Sequence, residues 1–179
     1  MPNWCSNSVT VTHSNPEMLE RLANANKDAL FATFIPVPQE LRVEAHLGAD
    51  DAQLSPEIRA IYEQNLLKHG VRHWYDWCIA HWGTKWDAAE CDIMRQDGTV
   101  YLSFDTAWGP PIMWYNSMIN LGFEIQAYYA EPNMAFCGRF TNDTNDHIEW
   151  ADVTDVPADI LEQFPWILSY CGDLDEDDE

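Results

Sequence analysis

The order of predicted elements indicates an α+β protein of the ferredoxin-like, or split βαβ, class, in which an antiparallel sheet carries helices on one face. Three observations support this class. A strand-like alternation near the N-terminus is followed by a helical apolar stripe, an Asp-Gly hairpin lies in mid-chain, and a helix opened by two prolines precedes further strands. Without a middle insertion the order is β-α-β-β-α-β, and extra strands follow.

The first strand and helix have clear local signals. Residues 7–12 alternate polar and β-branched side chains, which predicts a strand. Asn15 is a favourable N-cap and Pro16 suits the first helical position. The apolar stripe that follows predicts a helix through about Asn26, and consists of Met18, Leu19, Leu22 and Ala23.

Residues from about 31 to 85 are predicted to be an insertion between the first helix and the hairpin. Phe31 to Pro38 is apolar but contains two prolines, so we expect an extended segment that is not a central strand. A second helix starts at Ser55-Pro56 and ends at Gly70. A third is predicted over residues 72–82 and ends at Gly83.

The second half of the chain completes the predicted sheet. Strands over 89–94 and 99–106 flank Asp97-Gly98, a strong hairpin signal. Pro110 and Pro111 open a helix that runs through Leu121. Strands are predicted over 123–130, 134–141 and 147–153, and a short helix over 157–164. We therefore expect one domain over residues 1–172 and an acidic tail over 173–179.

Composition limits the location and class of the protein. No run of eighteen apolar residues is present, which argues against a transmembrane helix. The N-terminus has no basic region followed by an apolar stretch, so no signal peptide is expected. The five cysteines form no Cys-x-x-Cys pair, which fits free thiols in a reducing compartment.

The net charge of −21 is concentrated towards the C-terminus. Residues 140–179 contain 13 acidic residues and no Lys or Arg. Such a field repels nucleic-acid phosphates and favours a partner with a basic surface. A solvating tail without a partner is the alternative. The predicted acidic partner surface consists of Asp173, Asp175, Glu176, Asp177, Asp178 and Glu179.

Tryptophans are concentrated in one segment, where Trp74, Trp77, Trp82 and Trp86 fall within thirteen residues. The first two lie at helical spacing and are interpreted as the packing stripe of the third helix. Trp82 and Trp86 could instead line a pocket that has Lys85 as its cation. The alternative for Lys85 is that its stem only covers apolar surface.

A second candidate lies at the predicted strand-to-helix corner formed by Trp108, Gly109 and Pro110. A helix start presents free N–H groups and can bind an anion, although a rigid corner without a ligand explains the same residues. The predicted binding residues are therefore Trp82, Lys85, Trp86, Trp108 and Pro110.

Metal binding and catalysis have weaker support. His69, His73, Cys78 and His81 are close in sequence, but Gly70 interrupts their helical spacing and no zinc-ligand pattern is present. No catalytic serine elbow or phosphate-binding glycine loop occurs. We expect no metal and no cofactor, and a Cys/His hydrolase is kept only as a third hypothesis.

Three stretches together resemble the Api92/YubB-like family, whose members are proteins of bacteriophages and conjugative plasmids with a ferredoxin-like domain. They are Met1-Pro2-Asn3-Trp4-Cys5-Ser6-Asn7, Trp82-Gly83-Thr84-Lys85-Trp86-Asp87 and Phe104-Asp105-Thr106-Ala107-Trp108-Gly109-Pro110-Pro111. The resemblance covers the start of the chain and roughly residues 80–140. It implies a mobile-element origin and a cytoplasmic location in a bacterial host, and it assigns no catalytic residue.

These features predict a non-enzymatic phage or plasmid protein that inhibits or modulates a host protein, such as a defence system. Either its acidic region imitates nucleic acid on a basic groove, or its tryptophans form the contact hot spot. The alternative is a binder or sponge for a small nucleotide signal. In that case Trp82, Trp86 and Trp108 stack the base, and Lys85 and the helix start near Pro110 hold the phosphate.

Overall fold

The computed structural model describes residues 3–48 and 50–172. Within these residues, six strands form one sheet in the order β2-β3-β1-β4-β5-β6, and every pair of neighbours is antiparallel. The strands are β1 (Trp4–His13), β2 (Ala89–Gln96), β3 (Thr99–Ala107), β4 (Phe123–Glu131), β5 (Phe136–Thr141) and β6 (Asn145–Glu149). The first four have the order expected of a split βαβ fold, and β5 and β6 extend the sheet beyond β4.

The helices are α1 (Pro16–Ala23), α2 (Pro56–His69), α3 (Trp74–Trp82), α4 (Ile112–Asn120), α5 (Ala158–Gln163) and α6 (Ile167–Gly172). Short 3-10 turns lie at Lys27–Ala29, Phe31–Thr33, Gln39–Leu41, Asp51–Gln53 and Val153–Asp155. Asn15 caps α1 as predicted, since its side chain accepts a hydrogen bond from the Glu17 N–H at 2.9 Å. No helix in these residues is long and apolar enough to cross a membrane.

The main core lies between one face of the sheet and helices α1, α3 and α4. Alternate residues of β1, Val9 and Val11, point into it, and Trp114 of α4 is fully buried there. Phe31 packs its ring 4.8 Å from that of Trp114 and 5.7 Å from that of Trp82. The predicted insertion is therefore fixed to the sheet through this core.

A second, smaller core lies on the opposite face of the sheet. Ala130 and Cys137 have the opposite parity to Ala127 and Phe140, which face the main core. Helices α5 and α6 cover them, and the cluster consists of Ala130, Cys137, Trp150, Val156, Ile160, Phe164 and Ile167. The sequence predicts helices on one face only and does not predict α6.

The ferredoxin-like α+β class predicted from the sequence is confirmed. The Asp97-Gly98 hairpin forms with both residues at positive φ, as its turn type requires. The extended segment predicted over Phe31 to Pro38 is wrong at its start, where Phe31–Thr33 forms a 3-10 turn. The partly buried side chain of Asp87 caps that turn by accepting hydrogen bonds from the Phe31 and Ala32 N–H groups.

Candidate functional site

The described residues of the three sequence stretches that carry the family resemblance meet at one end of the sheet. This is the end where β1 and β2 begin and β3 finishes. Trp4 is paired in register with Ala107, and the Trp108 N–H donates to the Asn3 carbonyl oxygen at 2.8 Å. The loop of residues 83–87 reaches the same end, because the Thr84 hydroxyl donates to the Ala107 carbonyl oxygen at 3.1 Å.

Lys85, Trp86, Trp108 and Trp4 form a surface that we call the tryptophan surface. The Lys85 ammonium lies 3.9 Å from the ring centroids of both Trp86 and Trp108. Trp4 adjoins this pair, with its ring centroid 6.2 Å from that of Trp86. The three indoles remain 37%, 41% and 50% exposed for Trp4, Trp86 and Trp108. So much exposed aromatic area at one place is typical of a binding surface.

A buried polar network holds the corner that carries Trp108. Asn7 donates to Thr106 Oγ1 at 2.9 Å and accepts from the Tyr115 hydroxyl at 3.1 Å. Thr106 in turn donates to the Gly109 carbonyl oxygen at 2.8 Å. Trp108 has a φ of 72°, which a non-glycine residue rarely adopts. The network therefore fixes an otherwise unfavourable backbone that directs Trp108 outwards.

The structure separates Trp82 from the other predicted binding residues. Trp82 is only 4% exposed, and its indole N–H donates to the Ile35 carbonyl oxygen at 2.9 Å. Its ring packs edge-on against Trp77 and Phe31 in the main core. Lys85, Trp86 and Trp108 do come together, and Trp4 joins them although the sequence analysis did not name it as a binding residue.

The start of α4 is occupied by the chain itself. A Cβ placed on Gly83 would lie 3.2 Å from the Ile112 nitrogen and 3.3 Å from the Met113 nitrogen. The Ile112 N–H already donates to the Pro110 carbonyl oxygen at 2.9 Å. Gly83, with a φ of 85°, thus lies against the N–H groups that an anion near Pro110 would need.

Trp108 also lines a mainly apolar groove of about 370 Å³. We call it the Trp108 groove, and its other lining residues are Asn3, Met134, Phe136 and Glu149. Met134 lies in the turn between β4 and β5, where the fully buried Glu131 carboxylate accepts a hydrogen bond from the Met134 N–H. No sequence pattern predicts this groove, because its walls come from segments that are distant in the sequence.

The described cysteines have the properties of structural thiols. Burial raises the pKa of Cys91 and Cys137 to about 11 and that of Cys78 to about 12. Burial raises the pKa of Cys5 further still. A thiol is a good nucleophile only as the thiolate, so these groups are poorly suited to catalysis at neutral pH.

The metal candidate and the acidic partner surface were the other sites considered from the sequence. No group of three or more His, Cys, Asp or Glu side chains suited to a metal ion is present in residues 3–48 and 50–172. His81 stacks on Trp77 at 4.1 Å between ring centroids. The predicted acidic partner surface lies outside the described residues, and consists of Asp173, Asp175, Glu176, Asp177, Asp178 and Glu179.

Comparison with known proteins supports the family over part of the chain. Residues 81–164 match the family described as a ferredoxin-like domain in Api92-like protein. The chain is also similar to the crystal structure of a protein api92 from Yersinia pseudotuberculosis, with 9% identity and a TM-score of 0.45. That alignment covers 84% of this chain and 99% of the other. No curated protein matches the chain.

Proposed function

We propose that this chain is a non-enzymatic binding protein that contacts a host protein through the tryptophan surface. In this proposal a bacteriophage or conjugative plasmid encodes it, and it acts in the bacterial cytoplasm on a host factor such as a defence system. The observation that carries the proposal is the set of three exposed indoles arranged around the Lys85 ammonium. Tryptophan is strongly enriched among the residues that dominate protein–protein binding energy.

The geometry favours a protein partner over a nucleotide. Lys85 already lies over the Trp86 and Trp108 rings, so a base would have to displace it from those faces. Trp82 is buried away from the surface, and Gly83 lies against the N–H groups at the start of α4. The three parts of the nucleotide hypothesis, a stacking triad, a free cation and an open helix start, are therefore not assembled together.

The charge of the chain supports a basic partner. The net charge is −21, and the tryptophan surface contributes one cation that is already engaged with two rings. Long-range attraction would bring a basic surface to the protein quickly, and the indoles would then provide the contact area. The C-terminal acidic residues are proposed to add nucleic-acid mimicry to this contact.

Capture of host proteins on the immobilised chain tests the proposal. A Trp86→Ala, Trp108→Ala double variant should lose a host protein that the wild-type chain retains. Leu67→Ala is the matched control, because Leu67 is an almost fully exposed apolar residue on α2, in another element. Thermal unfolding of each variant excludes loss of fold as the cause. Equal capture by the double variant and the wild type would remove the tryptophan surface from the function.

Fluorescence separates the nucleotide alternative. Indole emission would be titrated with cyclic and linear nucleotides, first on the wild type and then on Trp108→Phe. If the surface binds only proteins, we expect no saturable change with any nucleotide. A saturable change that Trp108→Phe reduces would support the small-molecule binder instead.

A further inference from the structure

Strand β6 forms an open edge of the sheet. In the described part of the chain it pairs with β5 on one side and with no strand on the other. The opposite edge, β2, differs because a 3-10 turn packs beside it and Lys27 forms a 2.6 Å ion pair with Asp92. An uncovered edge can accept a further strand through main-chain hydrogen bonds.

The register shows which backbone groups of β6 face outwards. The Trp150 N–H donates to the Ala135 carbonyl oxygen, and the Thr141 N–H donates to the Thr144 carbonyl oxygen. These two bonds lie at the two ends of β6. In an antiparallel pair every second residue is hydrogen-bonded to the neighbouring strand, so the backbone groups of residues 146 and 148 face β5. The backbone N–H and C=O groups of Asn145, His147 and Glu149 therefore point away from the sheet.

The charge around this edge selects the kind of strand that could pair there. Asp146 and Glu149 lie in β6, Asp143 and Asp152 lie in the segments that flank it, and no Lys or Arg occurs in the sequence after Arg139. Arg139 is opposite Asp146 in register but bonds to Asp159 at 3.0 Å. Pairing with a second copy would bring like charges together, which is unfavourable, whereas a basic strand is complementary.

The end of β6 leads into the Trp108 groove. Glu149 is the last residue of β6 and also lines the groove, together with Trp108 and Phe136. A lysine or arginine next to Glu149 could lay its apolar stem on the two rings and place its charge beside the carboxylate. The groove therefore offers a specific position for one basic side chain of an added strand.

We propose that β6 accepts an extended, basic segment of the partner protein as a seventh strand, with one long basic side chain in the Trp108 groove. The inference rests on the proposed function in taking the partner to be a protein. It adds the conformation and the charge of the segment that is bound. The contact combines main-chain pairing along β6 with side-chain recognition at its end.

Selection from a random library of displayed twelve-residue peptides on the full chain provides the probe. Enriched peptides should be cationic and rich in β-branched residues. The decisive pair of variants is His147→Ala, which keeps the outward N–H, and His147→Pro, which removes it at a position where an edge strand tolerates proline. Both variants lose the imidazole ring, whose centroid lies 5.1 Å from that of Phe136 in the groove, so His147→Ala measures that loss alone. We expect His147→Pro to bind the peptides about tenfold more weakly than His147→Ala, equivalent to one hydrogen bond.

The outcomes separate this inference from the proposed function. Strand addition would be overturned if no peptide is enriched, or if the enriched peptides are acidic. It would also be overturned if the enriched peptides bind His147→Pro as well as they bind the wild type. Equal loss in both His147 variants would also overturn it, because the side chain and not the backbone would then be recognised. Capture of a host protein that depends on Trp86 and Trp108 but not on His147 would leave only the proposed function standing.

Discussion

Gly138 in β5 lies where a larger residue cannot fit. A Cβ at this position would be 2.2 Å from the Asp146 carbonyl oxygen and 2.3 Å from the Tyr129 hydroxyl. We expect Gly138→Ala to lower the free energy of unfolding by about 1–3 kcal/mol, since strand or ring must shift. Urea denaturation measures this change. Gly109→Ala is the control, because nothing lies within 4 Å of its Cβ position, and it should change stability by less than about 0.5 kcal/mol.

Asp87 joins the inserted segment to the sheet, and its role depends on pH. Its carboxylate accepts hydrogen bonds from the Phe31, Ala32 and Ala88 N–H groups at 2.7, 3.0 and 2.8 Å. Burial raises the pKa of this carboxyl above its usual 3.8, although the three N–H donors oppose the effect. The folded state therefore binds the proton more tightly than the unfolded state.

Replacement of Asp87 by Asn tests both the hydrogen bonds that the carboxylate accepts and its raised pKa. The amide nitrogen cannot accept a hydrogen bond, so Asp87→Asn should cost about 1–3 kcal/mol of unfolding free energy at neutral pH. The stability contributed by protonation is fully present below the unfolded pKa and is lost as pH rises through the folded pKa. The advantage of the wild type over the variant should therefore be larger near pH 4 than at pH 7. A constant difference across that range in denaturation experiments would contradict the raised pKa.

Sequence reasoning identified part of the candidate surface at the level of residues. Lys85, Trp86 and Trp108, three of the predicted binding residues, lie together, because each is beside a turn that brings it to the same end of the sheet. Trp82 is buried because it is the last residue of α3 and faces the core. Its neighbour Trp86 lies in the following loop. Composition alone cannot separate two tryptophans four residues apart.

At the level of elements, helix caps and turns that depend on adjacent residues could be predicted from the sequence. The Asn15 cap, the Asp97-Gly98 turn and the helix end at Gly83 each depend on a few adjacent residues. The 3-10 turn at Phe31–Thr33 was missed because its cap, Asp87, is more than fifty residues away. Helix α6 was missed because it is short, and it forms where Ile167 can pack on the second core.

Edge strand β2 carries the most accessible of the described thiols, Cys91. In a Cys171→Ser background, we expect Cys91 to react first with a thiol reagent, whereas Cys5, Cys78 and Cys137 should react only on unfolding. Because burial raises the pKa of Cys91 to about 11, its rate should still be rising between pH 8 and pH 10.

Mass spectrometry of labelled peptides identifies the thiol that reacts, and Cys91→Ser provides the control. Cys91→Ser should abolish the early labelling without exposing the other thiols. A described cysteine that reacted rapidly at pH 7 with a plateau below pH 8 would contradict the raised pKa values. That result would restore the hydrolase hypothesis.

On the scale of the whole molecule, the sheet is covered on both faces, and the two proposed binding features lie at one end of it. One face buries the main core, and the second core under α5 and α6 covers part of the other. The tryptophan surface and the open β6 edge both reach the same end of the sheet through Trp108 and Glu149. One partner could therefore contact the indoles and the edge strand together, and that combination would give higher specificity than either contact alone.

The distribution of charge over the whole molecule leads to a prediction about the last seven residues. Removal of residues 173–179 changes the formal net charge from −21 to −15. If these carboxylates attract a basic host protein, the truncated chain should associate more slowly, and its affinity should depend less steeply on salt. Association rates and affinities would be measured at several salt concentrations on the host protein captured by the wild type. A full-length variant with the six acidic residues changed to Asn or Gln controls for chain length. If both variants keep the wild-type association rate and salt dependence, the tail does not act as a nucleic-acid mimic. The host protein would then be bound by the tryptophan surface and β6.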